Sequence, residues 1–237
     1  MRFFEVAYSY IDPFYEKKFV LKRAKKNLSQ KEIKRFQQEY EQMKLLSSPY
    51  VTEVFNFNAE KNEYIMEFMD SSLKEYYSRH NVDMKYEQRR NFAKQILKAF
   101  QYIHSKELLH RDISPNNILI KKYDDVDVIK ISDFGLVKLP DSDLTSENSK
   151  LKGCFNDPAL ETEGFESYNI LHETYALTRL IYFIMTGKTN LSEISKTKNA
   201  NLQSFVLKGT NADKRQRFRN VREMIEFLTY KSGGKDD

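Results

Sequence analysis

At 237 residues with 40 % hydrophobic content, the chain can bury a sizeable core, which excludes disorder along most of its length. Its single cysteine, Cys154, excludes an intrachain disulfide, and no apolar run nears the roughly 18 residues of a membrane helix. The formal net charge is +5, and basic residues crowd "KKFVLKRAKKNLSQKEIKR", residues 17–35, which reads as a solvated face rather than a nucleic-acid surface. The N-terminus lacks the apolar stretch of a signal peptide, so a cytoplasmic location is expected.

Residues 4–22 read as two strands joined by a turn. "FFEVAYSYI" is aromatic and β-rich, "DPFYE" carries a proline turn signal, and "KKFVLK" is the second run. Residues 29–46 read as a helix. Ser29 and Glu32 have capping-box spacing, and Ile33, Phe36, Tyr40, Met43 and Leu46 recur every three or four positions. "YVTEVFNF" (50–57) and "EYIMEFM" (63–69) suggest two more strands around a turn at "NAEKN". The character then becomes helical. Residues 87–104 place Phe92, Ile96, Ala99 and Ile103 on one face. Residues 170–188 are apolar on most sides, as in a helix central to a core. Val221, Met224, Ile225 and Leu228 mark a last helix over 219–230. The pattern implies an α+β fold of two lobes within a single domain, 1–237. A small β-rich upper lobe spans 1–69, a larger α-helical lower lobe spans 70–230, and the tail 231–237 is expected to be disordered.

The strongest chemical signal is "HRDISPNNILI", residues 110–120, followed by "ISDFG", residues 131–135. These match H-R-D-x-x-x-x-N and D-F-G in the right order, separated by a strand-like stretch. Over nearly its full length the chain resembles eukaryotic-type protein kinases. The resemblance implies a two-lobed kinase fold, with ATP and Mg²⁺ as cofactors and phosphoryl transfer to a protein hydroxyl, expected to be Ser or Thr. Asp112 is the implied catalytic carboxylate beside the attacking hydroxyl, and Asn117 and Asp133 are the implied oxygen ligands of Mg²⁺.

The same resemblance assigns further parts. Lys22 is similar to the strand lysine that holds the α/β-phosphates, and helical phase favours Glu39 over Glu41 as its glutamate partner. In "YIMEFM", Met66 would border the back of the adenine pocket, and backbone groups of Glu67 and Met69 would meet the adenine edge. "GCFNDPALE", residues 153–161, resembles the end of an activation segment, with Glu161 expected to pair with Arg217. Glu173 falls where the family braces its catalytic loop with an aspartate. Met43, Val54, His110 and Phe134 are the implied packed positions between the lobes. A phosphate on Ser142, Thr145, Ser146 or Ser149 is a possible partner of Arg111.

The chain also departs from the family pattern. It has no glycine before Gly135, so the phosphate-covering glycine loop is missing, and "FFEV" aligns with that loop's end. The upper lobe is therefore expected to be truncated at its N-terminus and to expose a strand edge open to a partner or to self-association. Ser114 and Cys154 replace the lysine and threonine of Ser/Thr-specific members. Only 44 positions separate Glu173 from Arg217, which implies a reduced lower lobe. Two alternatives stay open: a scaffold that binds nucleotide weakly without transfer, and a small-molecule kinase.

Overall fold

A computed structural model describes residues 5–134 and 155–230. The described residues open with an antiparallel hairpin, β1 (Glu5–Asp12) and β2 (Lys17–Ala24), in which Ala7 lies opposite Lys22. Asp12 closes the turn by accepting from the backbone N–H groups of Phe14 and Tyr15, each at 3.0 Å. Helix α1 (Gln30–Leu45) starts where the capping box predicts. Ser29 accepts from the Glu32 backbone, and the Glu32 carboxylate accepts from the Ser29 N–H at 2.8 Å. Strands β3 (Val54–Asn58) and β4 (Glu63–Glu67) complete a four-stranded antiparallel sheet of order β1-β2-β4-β3. Helix α1 lies on this sheet through an aromatic layer. Phe36 and Tyr40 meet the Tyr64 ring at 5.2 and 5.5 Å between centroids.

The predicted strand over 50–57 divides in two. Only its second half joins the upper sheet. Tyr50 and Thr52 instead bond the strand that leads to Asp133: the Ile131 N–H donates to the Tyr50 carbonyl at 2.8 Å, and the Thr52 N–H to the Ile131 carbonyl at 3.0 Å. Pro49 follows α1, whose C-cap residue Leu46 is already extended, and disfavours helix at the residue before it.

The lower lobe opens with the short strand β5 (Ser71–Ser72), helix α2 (Leu73–His80) and helix α3 (Tyr86–Ser105). Strands β6 (Ile118–Lys122) and β7 (Asp127–Ile131) pair as a hairpin beside β5. After the single turn α4 (Leu160–Glu163), helix α5 (Ile170–Thr186) runs through the core, with twelve of its residues buried, as its all-round apolarity predicts. It ends at Gly187 with φ 72°. A Cβ there would lie 2.2 Å from the Asn81 side chain, so glycine is needed for both conformation and room. Helices α6 (Ala200–Gly209) and α7 (Val221–Tyr230) close the lobe. Helix α6 has no counterpart in the sequence expectations, because Leu202, Phe205 and Val206 give it too short an apolar stripe to stand out.

The hydrophobic core runs unbroken from one lobe to the other. Met43, Val54, His110 and Phe134 are all buried within or beside it, and the His110 and Phe134 rings lie 5.0 Å apart. Among the described residues no helix is long and apolar enough to cross a membrane. The expected tail, 231–237, lies outside the described residues, as do Gly135, Gly153, Cys154 and the four serine and threonine candidates.

Candidate active site

The loop between α3 and β6 carries His110, Arg111, Asp112 and Asn117, and it is gathered around one buried carboxylate. Glu173, from the first turn of α5, accepts from the His110 N–H (2.8 Å), the Arg111 N–H (3.1 Å), the Tyr168 hydroxyl (2.6 Å) and His104 Nε2 (3.3 Å). Burial by itself would raise its pKa. The hydrogen bonds from His104 and Tyr168, with the charge of His104, outweigh burial and hold Glu173 below the usual carboxylate value. This grip keeps Arg111 in left-handed backbone, φ 66°, a conformation that non-glycine residues seldom adopt without support.

The loop is also tied to the segment that follows β7. His110 Nδ1 accepts from the Asp112 N–H at 3.3 Å, so Nε2 carries the proton and donates to the Ser132 carbonyl at 2.9 Å. The Ser132 N–H donates to the Asn117 carbonyl at 3.0 Å. The Asn117 side-chain amide donates to the Asp112 carbonyl at 2.8 Å, which leaves its side-chain oxygen as the group able to meet a cation. Asp133 follows with φ 72°. The two sequence motifs are thus one hydrogen-bonded unit.

Across the cleft, β2 presents Lys22. Its ammonium lies 2.6 Å from Glu39 and 2.9 Å from Glu5. Tyr64 donates to the same Glu39 oxygen at 3.0 Å. Burial alone would lower the Lys22 pKa, but Glu39, Asp133 and Glu5 together raise it well above the ordinary value, so the ammonium is firmly charged. Glu41 is exposed, so the structure brings Glu39, not Glu41, to the lysine. Burial pushes Glu5 up to about 7. Lys22 pulls it down, and Glu39 and Asp133 add to the rise.

Met66 is buried on β4, opposite Val20 on one side and Val54 on the other. The Glu67 N–H donates to the Glu53 carbonyl at 3.0 Å, and the Glu67 carboxylate pairs with Lys130 at 2.5 Å. Met69 is half-buried in the linker, which is anchored by Lys121 on the Phe68 carbonyl and by the Asp70 N–H on the Ile120 carbonyl, both at 2.9 Å.

One expected pair is overturned. Arg217 pairs with Asp157, not with Glu161. Glu161 is exposed on α4, whereas Asp157 is 1 % exposed and precedes Pro158, where a short side chain reaches Arg217 directly. Arg217 also donates to the Asn211 carbonyl at 2.6 Å and lies 4.8 Å over the Tyr175 ring. Arg111 donates to the Phe165 carbonyl at 2.6 Å and stacks over the Phe165 ring at 4.3 Å.

Sequence reasoning missed Glu5, Tyr64, Tyr168 and His104. Glu5 carried a usable signal, since it lies two residues before the strand position opposite Lys22 and so shares its face. Tyr64 lies directly opposite Lys22 in the β2–β4 register, Tyr168 comes just before α5, and only His104 is brought in by the packing of distant helices.

Glu173→Gln is expected to lower stability by about 2–4 kcal/mol, because an amide group would then face buried donors. The Glu173 pKa is depressed in the folded state, so its contribution is present above the ordinary value of 4.5 and fades as pH falls through the folded pKa. Thermal melts should show the gap between wild type and variant constant from pH 7 down to about 5 and narrowing only as pH falls below 4.5. A gap independent of pH would contradict the role.

Comparison with known proteins agrees with this architecture. A sequence model of the protein kinase domain matches residues 4–231. The probable serine/threonine-protein kinase PknB of Lactococcus lactis is 26 % identical over 216 residues, covering 81 % of this chain and 34 % of its own length. The serine/threonine-protein kinase PrkC of Bacillus subtilis is 29 % identical over 161 residues, covering 66 % of this chain and 24 % of its own. The chain therefore spans about a third or less of the length of these relatives. The crystal structure of the Rad53 kinase domain and SCD2 superposes with a TM-score of 0.71 at 22 % identity, covering 93 % of this chain and 82 % of that one, and shows the two-lobed fold.

Proposed function

Because this chain belongs to the protein kinase domain family, we propose that it transfers the γ-phosphoryl group of Mg·ATP to a hydroxyl of a protein substrate, with Ser or Thr as acceptor. The observation that carries the reading is the nearness of two units, close enough for the charge of Asp133 to act on Lys22. One is the buried Lys22–Glu39 pair, and the other is the tied loops bearing Asp112, Asn117 and Asp133. The Ser/Thr acceptor is taken from the names of the relatives.

The donor set suits magnesium. Asn117 and Asp133 offer hard oxygens. Among the described residues no group of three His, Cys, Asp or Glu could hold a metal unaided, so the ion would be shared with phosphate and water, as Mg²⁺ commonly is. When bound, magnesium would draw negative charge from the transferring group. Lys22, fixed by Glu39, would hold the phosphates, Met66 would border the adenine, and the Glu67 carbonyl and the Met69 backbone would meet its edge. Asp112 would orient the acceptor hydroxyl and take its proton as oxygen bonds to phosphorus and the bond to the leaving diphosphate breaks.

A second reading, nucleotide binding without transfer, draws support from Glu5, whose carboxylate already sits on Lys22. Incubation with labelled ATP and Mg²⁺, alone and with generic protein substrates, separates the two. Labelled protein is the expected result. Nucleotide binding with no labelled protein would overturn transfer, and labelled small molecules would point to a different acceptor.

A further inference from the structure

Lys22 holds two carboxylates at once, and they differ in kind. Glu39 is 3 % exposed and braced by the Tyr64 hydroxyl, so it is the fixed partner. Glu5 is the more exposed of the two and comes from the first described residue of β1. The strand register explains how it reaches the site. Ala7 lies opposite Lys22, Glu5 lies opposite Ala24, and alternate residues of a strand share a face. Glu5 is therefore the diagonal neighbour of Lys22, and the small side chains of Ala7 and Ala24 leave it room to lean onto the ammonium. Its carboxylate lies on the same ammonium that the proposed reaction assigns to the nucleotide phosphates.

We infer that Glu5 is a specificity-determining group of this cleft, a built-in anion that stands in for a nucleotide phosphate on Lys22 and must leave it when a triphosphate binds. The inference rests on the reading of the cleft as a nucleotide site. It follows from charge. Above about pH 7, where Glu5 is ionised, an ammonium held between two carboxylates already has its charge met, and a triphosphate adds further negative charge beside Glu5, which repels it at short range. A ligand without phosphates meets no such opposition. Glu5 thus weakens ATP binding selectively and leaves binding of the nucleoside part unaltered.

Isothermal titration of the full chain at about pH 8.5, where Glu5 is ionised, with ATP, with and without Mg²⁺, and with adenosine tests this. The variants are Glu5→Gln, which keeps size and removes charge, and Glu60→Gln, which removes one exposed charge from the turn between β3 and β4. Glu5→Gln is expected to bind ATP about tenfold more tightly than wild type, equivalent to about 1.4 kcal/mol, with adenosine binding unchanged within about twofold and Glu60→Gln behaving as wild type. ATP binding by Glu5→Gln no tighter than by wild type, while adenosine binds both, would overturn the inference and leave the nucleotide site standing. Failure of all three folded proteins to bind either ligand would overturn the nucleotide site and the inference with it.

Discussion

Asp133→Asn is expected to cut phosphoryl transfer by about a thousandfold or more and to weaken Mg·ATP binding, whereas Asp112→Asn should cut transfer by about 10²–10⁴-fold with binding largely intact. The difference lies in what each carboxylate would touch. Asp133 stands where a cation shared with phosphate would sit, so its loss is felt before chemistry begins. Asp112 would meet the acceptor hydroxyl, which ATP binding does not involve. Both substitutions leave the backbone in place. Asparagine accepts the left-handed φ of 72° at position 133 nearly as readily as aspartate. At position 112 the N–H donates to His110 and the carbonyl accepts from Asn117, and neither of these bonds uses the side chain. Steady-state kinetics paired with calorimetric ATP affinity checks the division. An equal fall in affinity for both variants would contradict it.

Arg217→Ala and Asp157→Ala should each destabilise the fold by about 3–5 kcal/mol, because each leaves a buried charge without its counterpart. For a chain of this size the melting temperature should drop by roughly 10 °C. The informative control is Glu161→Ala. Glu161 is exposed, and its removal should cost less than about 0.5 kcal/mol. A large loss with Glu161→Ala and a small one with Asp157→Ala would restore the pairing expected from the family spacing. The double variant Arg217→Ala/Asp157→Ala should cost less than the sum of the singles, since the penalty of each is an orphaned partner.

Local signals were the most legible in the sequence. Capping at Ser29, the apolar periodicity of α3 and α5 and the hairpin around Asp12 each depend on neighbours within a turn or two, and each element lies within a few residues of its predicted place. The two short motifs also located the loops that form the cleft, because their spacing is set by the backbone path itself. Pairings between distant segments were less legible. Arg217 could have met Asp157 or Glu161 on spacing alone; only the packing of the turn before α4 decides that Asp157 faces inward. His104 carries no sequence sign of its link to Glu173, because the packing of α3 on α5 brings them together, whereas Tyr168 lies only five residues before Glu173 in the turn that enters α5. The segment 50–57 reads as one strand since its composition is uniform, yet its two halves join different sheets.

That division has a mechanical consequence. The Tyr50 and Thr52 backbone is stitched to Ile131, two residues before Asp133, while β3 continues from it into the upper sheet. A rocking of one lobe against the other that turned about this seam would move points near it least. Asp133, two residues from Ile131, would then keep its place beside Asn117. Lys22, on β2 of the upper sheet, would move with that lobe. Opening and closing would therefore alter the reach of the ammonium towards the phosphates while the oxygens proposed for the cation keep their spacing, so substrate entry need not dismantle the cation's berth.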